Sequence, residues 1–257
     1  MILAIDIGNS NIHIGYFEKE KLICKFDIAT KSNASIDEYA LYLKLLSKEN
    51  NVDISSLEGA VIGSVVPSIT EKIKKAVNKI TDAPIMLVGP GIKTGFSIKL
   101  DDPSELGADL VANSSGAIKQ VGYPVIIVDL GTATTVSAID KTKSYVGCYI
   151  MPGIQLGLDA LHKTELLPEV FADNTVPIMG KNSIDSMRAG VTFGTVMACD
   201  GFIDAYIREL DLPDNTPIVV TGGYAKGLLS YFEKKVTYVE DLTLKGLNTI
   251  YLANKKR

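Results

Sequence analysis

The stretches IDIGNSN (Ile5–Asn11) and VDLGTAT (Val128–Thr134) share one pattern, and that pattern determines the predicted fold. In each stretch an aspartate, Asp6 or Asp129, stands between apolar residues and is followed by glycine and small polar residues. The two aspartates lie close to half a chain length apart. We interpret the recurrence as an internal repeat of two similar half-domains; the alternative is chance recurrence of a short pattern.

Strand and helix signals follow the two stretches in a similar order. Each stretch lies within a set of three short strand signals joined by turns, as in an antiparallel meander. These strands are predicted at Ile2–Ile7, Asn11–Phe17, Lys21–Ile28, Pro124–Asp129, Ala133–Asp140 and Ser144–Met151. Helical spacing then alternates with single strands, which is typical of an α/β layer architecture. The sequence therefore predicts two βββα half-domains that face each other across a cleft.

The later elements are predicted from the same patterns. Strands are expected at Ala60–Val66, Pro84–Val88, Ile218–Thr221 and Val236–Val239. Helices are expected to begin at Ser35 and Pro67, to end near His162, and to cover Tyr224–Phe232 and Leu242–Asn254. A long helical segment, Asn182–Leu210, contains Gly190, Gly194 and Gly201, and we expect a break or kink around these glycines.

Composition excludes several classes of protein. The 257 residues include 26 Lys and Arg against 30 Asp and Glu, a net charge of −4 without a basic stripe, so a nucleic-acid partner is not expected. The longest uncharged stretch, Ser144–Leu158, has 15 residues, fewer than the roughly 20 that cross a bilayer. The odd number of scattered cysteines indicates reduced thiols, and no signal-peptide pattern opens the chain. We expect a cytoplasmic protein with no membrane contact.

The two Asp-x-Gly turns have a chemical logic. Glycine allows a tight turn whose backbone N–H groups approach an anion, and the side chains of Asn9, Ser10, Thr132 and Thr134 can donate to phosphate oxygens. Aspartates at strand ends can hold the hydrated cation that an ATP phosphate chain requires. A single such turn also describes an ordinary hairpin loop. Two of them at half-chain spacing favour phosphate binding.

A third motif supports nucleotide binding. The segment Ile218–Ala225 reads as a strand, a Gly222-Gly223 turn and a helix start. A backbone without Cβ atoms can approach a flat ligand such as adenine closely. Alone, the motif also describes a simple helix start. Neither a GxxxxGK[ST] loop nor a GxGxxG loop is present, so Walker-type and Rossmann nucleotide sites are not expected.

Taken together, these motifs resemble the fold of actin, sugar kinases and heat-shock chaperone ATPases, and more closely the type III pantothenate kinases. The resemblance implies two ribonuclease-H-like half-domains, at 1–117 and 118–257, that face a nucleotide cleft. The motifs that carry it run in order along the chain: Asp6–Asn11, Ser64–Pro67, Gly89–Gly95, Gly107–Asp109, Asp129–Thr135, Pro152–Gly153, Gly180–Ser183 and Gly222–Ala225.

The family transfers the γ-phosphate of ATP to the 4′-hydroxyl of pantothenate, the first step towards coenzyme A, and its members are homodimers. The resemblance implies that Asp109 is the general base, that Asp129 binds a monovalent cation (K⁺ or NH₄⁺), and that Asp6 positions hydrated Mg²⁺. It implies an ATP site formed by Asp6, Gly8, Asn9, Ser10, Asn11, Thr132, Gly222 and Gly223. It implies pantothenate contacts from Gly107, Ala108, Asp109, Leu110 and Ser183.

Two positions depart from the family pattern. Leu110 stands where the family has arginine after the aspartate, and Leu100 stands where it has tyrosine. Both changes remove polar groups from the substrate side, and Arg188 is the best candidate to supply the missing cation. The alternatives are that Arg188 only pairs with Asp185, and that a backbone N–H or a residue of the partner subunit meets the substrate instead. The alternatives for function are an ATP-binding regulator on the same fold, a kinase for another small hydroxy acid, and a phosphohydrolase.

Overall fold

The computed structural model describes residues 1–173 and 175–255. Contacts divide the chain into two compact units. The first unit comprises Met1–Phe96, Asp102–Lys119 and the chain from Leu242 onward, and the second comprises Ser97–Asp101 and Gln120–Asp241. This division differs from the sequence-based boundaries of 1–117 and 118–257 mainly at the last helix, which belongs to the first unit.

The elements follow the predicted α/β order. The strands are β1 (Ile2–Ile7), β2 (Asn11–Glu18), β3 (Lys21–Ala29), β4 (Gly59–Ser64), β5 (Ile85–Leu87), β6 (Ser97–Ile98), β7 (Val125–Leu130), β8 (Ala133–Ile139), β9 (Ser144–Pro152), β10 (Ile218–Thr221) and β11 (Thr237–Tyr238). The α-helices are α1 (Ile36–Glu49), α2 (Pro67–Ile80), α3 (Ala108–Val121), α4 (Ile154–His162), α5 (Ser183–Glu209), α6 (Ala225–Leu228) and α7 (Leu242–Asn254). Short 3₁₀ turns lie at Ile54–Ser56, Pro103–Glu105 and Leu229–Tyr231.

The two sheets confirm the internal repeat. The first sheet has the order β3-β2-β1-β4-β5, and the second contains the same arrangement as β9-β8-β7-β10-β11, with β6 added beyond β9. In both sheets the first three strands are antiparallel neighbours and the fourth pairs in parallel with the first. Asp6 lies opposite Gly63 in that parallel pair, and Asp129 lies opposite Thr221. The two aspartates therefore occupy equivalent places in the two units.

Local sequence explains where the first helices begin. Ser35 caps α1, because its side-chain oxygen accepts the backbone N–H of Glu38 at 3.1 Å. Pro67 occupies the first turn of α2, where its missing N–H has no intrahelical partner to lose. Apolar side chains of α1 and α2 pack with those of the first sheet into one buried core.

The structure corrects the predicted break in α5. The helix is continuous over Ser183–Glu209, and its cap Asn182 accepts the N–H of Asp185 at 2.9 Å. Its three glycines do not interrupt it, since a glycine costs a helix only about 1 kcal/mol relative to alanine and long-range packing on α4, β7 and β8 outweighs that cost. The segment predicted as a helix over Tyr224–Phe232 is instead the short α6 followed by a 3₁₀ turn.

The closing helix α7 packs in the first unit. Leu244, Leu247 and Tyr251 join a buried cluster with side chains of β1, β2, β4 and α3. The backbone of α7 approaches that of α3 so closely that a Cβ at Gly246 would lie 1.8 Å from the carbonyl oxygen of Ala112. This packing fixes α3 against the sheet. Within the described ranges, no helix is long and apolar enough to cross a membrane.

Candidate nucleotide and substrate sites

The turn between β1 and β2 is the first phosphate-site candidate. The N–H of Gly8 donates to the carbonyl of Asn11 at 3.0 Å, and a Cβ at Gly8 would lie 3.1 Å from that same oxygen. The side chains of Asn9, Ser10 and Asn11 are exposed, whereas Asp6, just before the turn, is only 8% exposed. The turn therefore offers polar side chains to a ligand beside a buried carboxylate.

Sequence reasoning missed one residue that contacts this turn. Thr30 follows β3, and its hydroxyl donates to the carbonyl of Gly8 at 2.7 Å. Its backbone N–H donates to the carbonyl of Ser10 at 2.9 Å. Its place directly after a strand is the only sequence signal, and that signal does not distinguish it from any other strand-end threonine.

Asp109 is the second residue of α3, and its carboxylate lies beside the backbone of Gly107. A Cβ at Gly107 would stand 2.5 Å from Oδ1 of Asp109, so a side chain there would displace the carboxylate. Oδ1 accepts the N–H of Leu110 at 2.8 Å. Burial raises the pKa of Asp109 above its ordinary value of 3.8 and outweighs the opposing backbone hydrogen bonds. A raised pKa makes the ionised carboxylate a stronger base.

The start of α3 meets the same end of the first sheet as Asp6. A Cβ at Gly63 would lie 3.7 Å from the Cβ of Ala108, and one at Gly107 would lie 3.6 Å from Cγ1 of Val65. Gly63 is the residue of β4 that lies opposite Asp6. The start of α3, which carries Asp109, therefore lies beside the β4 residue that pairs with Asp6.

In the second unit, the Gly222 turn lies directly against Asp129. Gly222 has φ +102, and a Cβ there would lie 2.6 Å from Oδ1 of Asp129 and 2.5 Å from the carbonyl oxygen of Leu130. The N–H of Tyr224 donates to that same carbonyl at 3.2 Å. Glycine is required here both by its conformation and by the close approach. Gly223, next to it, is exposed and open, since a Cβ there would meet no atom within 4 Å.

The second phosphate-turn candidate is held by the residue that follows β9. The N–H of Gly153 donates to the carbonyl of Thr132 at 3.1 Å, and a Cβ at Gly153 would lie 2.3 Å from the carbonyl oxygen of Gly131. Thr132 is exposed, as a phosphate ligand must be. Thr134 is fully buried, so it is not available as the phosphate donor that the sequence suggested. Its side chain shares the core face of β8 with Val136, because strand residues alternate between faces.

Ser183 lies in a separate cavity of the second unit. The cavity has a volume of about 560 Å³. It is lined by the end of α4, the loop after it and the first turns of α5: Leu161, Leu167, Gly180, Lys181, Asn182, Ser183, Ser186 and Met187. Lys181 is its one charged lining residue among these, and the side chain is exposed. The cavity combines an apolar wall with hydroxyl, amide and ammonium groups, which suits a small polar acid.

The surroundings of Arg188 differ from the expected pairing with Asp185. Its Nε donates to the carbonyl of Phe171 at 2.9 Å, and its guanidinium lies 3.9 Å from the carboxylate of Asp173. Asp185 does not pair with it; that carboxylate instead accepts the side-chain amide of Asn182 at 2.7 Å. Arg188 therefore fastens the loop after α4 onto α5.

The predicted residues are divided between the two units. The first unit brings together Asp6, the Gly8–Asn11 turn and Gly107–Leu110. The second unit brings together Asp129, the Gly131–Thr132 turn and Gly222–Gly223, while Ser183 lines its cavity. Leu110 is half-buried beside Asp109, and Leu100 is half-buried in the second unit.

The carboxylates of Asp6 and Asp129 suit ions whose other ligands are water and phosphate oxygens. In the part of the chain that the structure describes, no three His, Cys, Asp or Glu side chains gather as a metal cage. Mg²⁺ bound to ATP takes one or two carboxylates and keeps its waters, so Asp6 fits that role. The carboxylate of Asp129 and the carbonyl oxygen of Leu130 border the space that a Cβ at Gly222 would fill. Oxygen atoms of these two kinds are suitable ligands for an alkali cation.

Comparison with known families gives one consistent result. The family model described as type III pantothenate kinase matches residues 2–205 of the chain. A curated type III pantothenate kinase from Halalkalibacterium halodurans is 37% identical over 256 residues, which cover 99% of this chain and all of that protein.

Solved structures with low sequence identity share the fold. A 2-dehydro-3-deoxygalactonokinase protein from Sinorhizobium meliloti aligns with a TM-score of 0.62 at 12% identity over 98% of this chain and 99% of that one. A Campylobacter jejuni protein described as a Baf family transcriptional activator aligns with a TM-score of 0.61 at 20% identity over 98% of each chain. An N-acetylglucosamine kinase from Porphyromonas gingivalis aligns with a TM-score of 0.52 at 12% identity over 99% of each chain. These likenesses confirm the predicted fold class, that of actin and the sugar kinases.

Proposed function

The chain belongs to the type III pantothenate kinase family, and we propose that it transfers the γ-phosphate of ATP to the 4′-hydroxyl of pantothenate, the first step of coenzyme A biosynthesis. The observation that carries this proposal is that the start of α3, with Asp109, lies against Gly63, the β4 residue that pairs with Asp6. In phosphoryl transfer to an alcohol, one carboxylate can hold the Mg²⁺ of the phosphates and another can accept the proton of the hydroxyl.

Asp109 acts as the general base. A primary alcohol is a weak nucleophile at neutral pH, and a positioned carboxylate that accepts its proton contributes about 10²–10⁴-fold to the rate. Gly107 leaves room for this carboxylate, and burial raises its pKa towards the working range of a base. Pantothenate contacts Gly107, Ala108 and Leu110 beside it.

ATP binds through the two repeated turns and the Gly222-Gly223 turn. The exposed side chains of Asn9, Ser10, Asn11 and Thr132, together with Gly8, meet the phosphates, and the adenosine lies against Gly222 and Gly223. Asp6 holds Mg²⁺ through water, and Asp129 holds K⁺ or NH₄⁺. When bound, these cations neutralise charge on the phosphates.

The cavity at the start of α5 receives part of pantothenate. Ser183 supplies a hydroxyl contact, and we propose that Lys181 meets the substrate carboxylate. The Nε of Arg188 already donates a hydrogen bond to the Phe171 carbonyl. This favours Lys181 over Arg188 as the replacement for the arginine that the family has at the position of Leu110. In the assay below, Lys181→Gln raises the KM for pantothenate and leaves that for ATP unchanged.

The protein acts as a homodimer. One face of α5 supports this proposal: Gly190, Gly194 and Met197 follow each other at intervals of four and three residues, as in helix-pairing seams. Met197 is 71% exposed, and a Cβ at either glycine would meet no atom within 4 Å. A second copy of the helix could therefore approach this face closely. The cytoplasmic location expected from the sequence stays a prediction.

One assay tests the proposed function against its alternatives. ADP release from ATP and Mg²⁺ is measured with and without pantothenate, in potassium and then in sodium buffer. The proposal predicts release that depends on pantothenate and is faster with potassium. ATP binding without turnover would instead indicate a regulator, turnover only with another acceptor a different kinase, and acceptor-free release a phosphohydrolase.

A further inference from the structure

The residue after the third strand of each unit contacts that unit's Asp-x-Gly turn. In the second unit, Gly153 follows β9, and its N–H donates to the carbonyl of Thr132 at 3.1 Å. In the first unit, Thr30 follows β3, and its N–H donates to the carbonyl of Ser10 at 2.9 Å. The repeat therefore preserves one backbone contact that fastens the turn to the end of the third strand.

Thr30 adds a contact that Gly153 has no side chain to make. Its hydroxyl donates to the carbonyl of Gly8 at 2.7 Å, so a single residue holds two carbonyls of the same turn. In the second unit the backbone of Gly153 instead packs directly against the turn, since a Cβ there would lie 2.3 Å from the carbonyl oxygen of Gly131. The two units thus secure equivalent turns by different means: a side-chain hydrogen bond in the first and tight backbone packing in the second.

This difference matters because the first turn presents its side chains to solvent and does not pack them in the core. Three of its side chains, Asn9, Ser10 and Asn11, are exposed to solvent, and Gly8 has no side chain to pack. A turn that is loose before binding must be ordered by the ligand, and that ordering reduces affinity. A residue that fixes the turn in advance therefore strengthens ligand binding without touching the ligand.

We propose that Thr30 is a positioning residue for ATP: its hydroxyl holds the first phosphate turn in its binding conformation through the Gly8 carbonyl. This inference rests on the proposed binding of ATP phosphates by that turn. A neutral hydrogen bond contributes about 1 kcal/mol net, so its loss is expected to weaken ATP binding by about three- to tenfold. Pantothenate, which contacts other elements, is not expected to be affected.

The test compares Thr30→Val with Thr30→Ser in the full-length protein. Valine has nearly the shape of threonine and keeps the backbone N–H bond to Ser10, but it cannot donate to Gly8; serine can. Thr216→Val is the matched control, because the Thr216 hydroxyl donates to a turn carbonyl, that of Pro213, at 2.6 Å. The dissociation constant for ATP and Mg²⁺ is measured directly by calorimetry, and both KM values by ADP release.

The expected result is a three- to tenfold weaker ATP affinity and a higher KM for ATP in Thr30→Val only, with Thr30→Ser within twofold of wild type and the KM for pantothenate unchanged. Unchanged ATP affinity in Thr30→Val would overturn the inference, as would equal losses in Thr30→Val and Thr30→Ser. Should Thr30→Val not fold, Thr30→Ala, which also keeps the N–H bond, decides by the same criteria. Wild-type protein that binds no ATP would overturn the proposed function itself, a result distinct from an unaffected Thr30→Val.

Discussion

At the scale of single residues, the proposed chemistry depends on Asp109. Asp109→Asn keeps the size of the side chain but cannot accept the proton of the hydroxyl. We expect kcat to fall by about 10²–10⁴-fold while ATP affinity stays the same. Steady-state kinetics and ATP calorimetry on the folded variant measure both. Asp200→Asn is the control, because it also removes a buried carboxylate, which lies on α5 and accepts the N–H of Glu233 at 3.0 Å. Near wild-type kcat in Asp109→Asn would contradict the assignment.

The raised pKa of Asp109 also predicts a pH dependence. The base must be ionised, so log(kcat/KM) for pantothenate should fall on the acid side with a midpoint above the ordinary value of 3.8. The free energy of unfolding should change with pH in the direction opposite to that for an ion-paired carboxylate. The folded protein binds the proton more tightly than the unfolded chain, so the free energy of unfolding falls as pH rises from 3.8 through the raised pKa. Asp109→Asn should thus melt no lower than wild type at neutral pH; a lower Tm would contradict burial as the cause.

The site residues differ in how far the sequence could predict them. Asp6, Asp129 and the glycines belong to repeated or family motifs, so pattern alone is enough to propose them as site residues. Thr30 could not be found in this way, because its role depends on where β3 ends relative to the first turn. The contacts of Arg188 could not be predicted from the sequence either, since its partners Phe171 and Asp173 lie in a loop with no regular pattern.

At the scale of elements, the contact between α7 and α3 holds the helix that carries Asp109. Gly246→Ala places a methyl carbon where only 1.8 Å separates it from the Ala112 carbonyl, so the helices must move apart. Overpacking of this kind costs about 1–3 kcal/mol. We expect a lower Tm in thermal denaturation and a lower kcat.

Thr249→Ala is the matched control for that change. Thr249 is on the same helix, and its hydroxyl donates only within the helix, to the Lys245 carbonyl at 2.9 Å. The Tm of Thr249→Ala should stay close to that of wild type. Equal Tm values for Gly246→Ala and wild type would show that the close approach of the helices is not needed.

The exposed face of α5 predicts the oligomeric state. Met197→Glu puts a charge on the proposed contact between copies, and Leu41→Glu, on α1, is the control at a residue that is 53% exposed. Light scattering with size-exclusion chromatography should find a dimer for wild type and Leu41→Glu, and a monomer for Met197→Glu. A dimer in Met197→Glu would place the interface on another surface.

Elements with strong periodicity were predicted almost to the residue, and those without it were missed. The strands β1, β7 and β10 are apolar except at Asp6, Asp129 and Thr221, and α1 and α2 have marked start signals. By contrast, α3 consists mainly of small and polar residues, with Asn113–Gly116 buried, so no apolar stripe marks it. It packs closely against α7 at Ala112 and Gly246, a long-range contact that the local sequence does not show.

At the scale of the whole molecule, the repeat was predictable and the division into units was not. Equivalent aspartates and equal strand orders follow from the recurring pattern. The return of the chain to the first unit at Leu242 depends on packing between α7, the first sheet and α3, for which no local signal exists.

The central claim is that this chain phosphorylates the 4′-hydroxyl of pantothenate with Asp109 as the base. Phosphorus NMR of the products from ATP, Mg²⁺, potassium and pantothenate tests it most directly. We predict a new phosphomonoester resonance, coupled to the methylene protons at C4′ of pantothenate, that grows with wild-type enzyme and not with Asp109→Asn over the same period. Inorganic phosphate as the only new product, or the same phosphomonoester formed equally fast by Asp109→Asn, would contradict it.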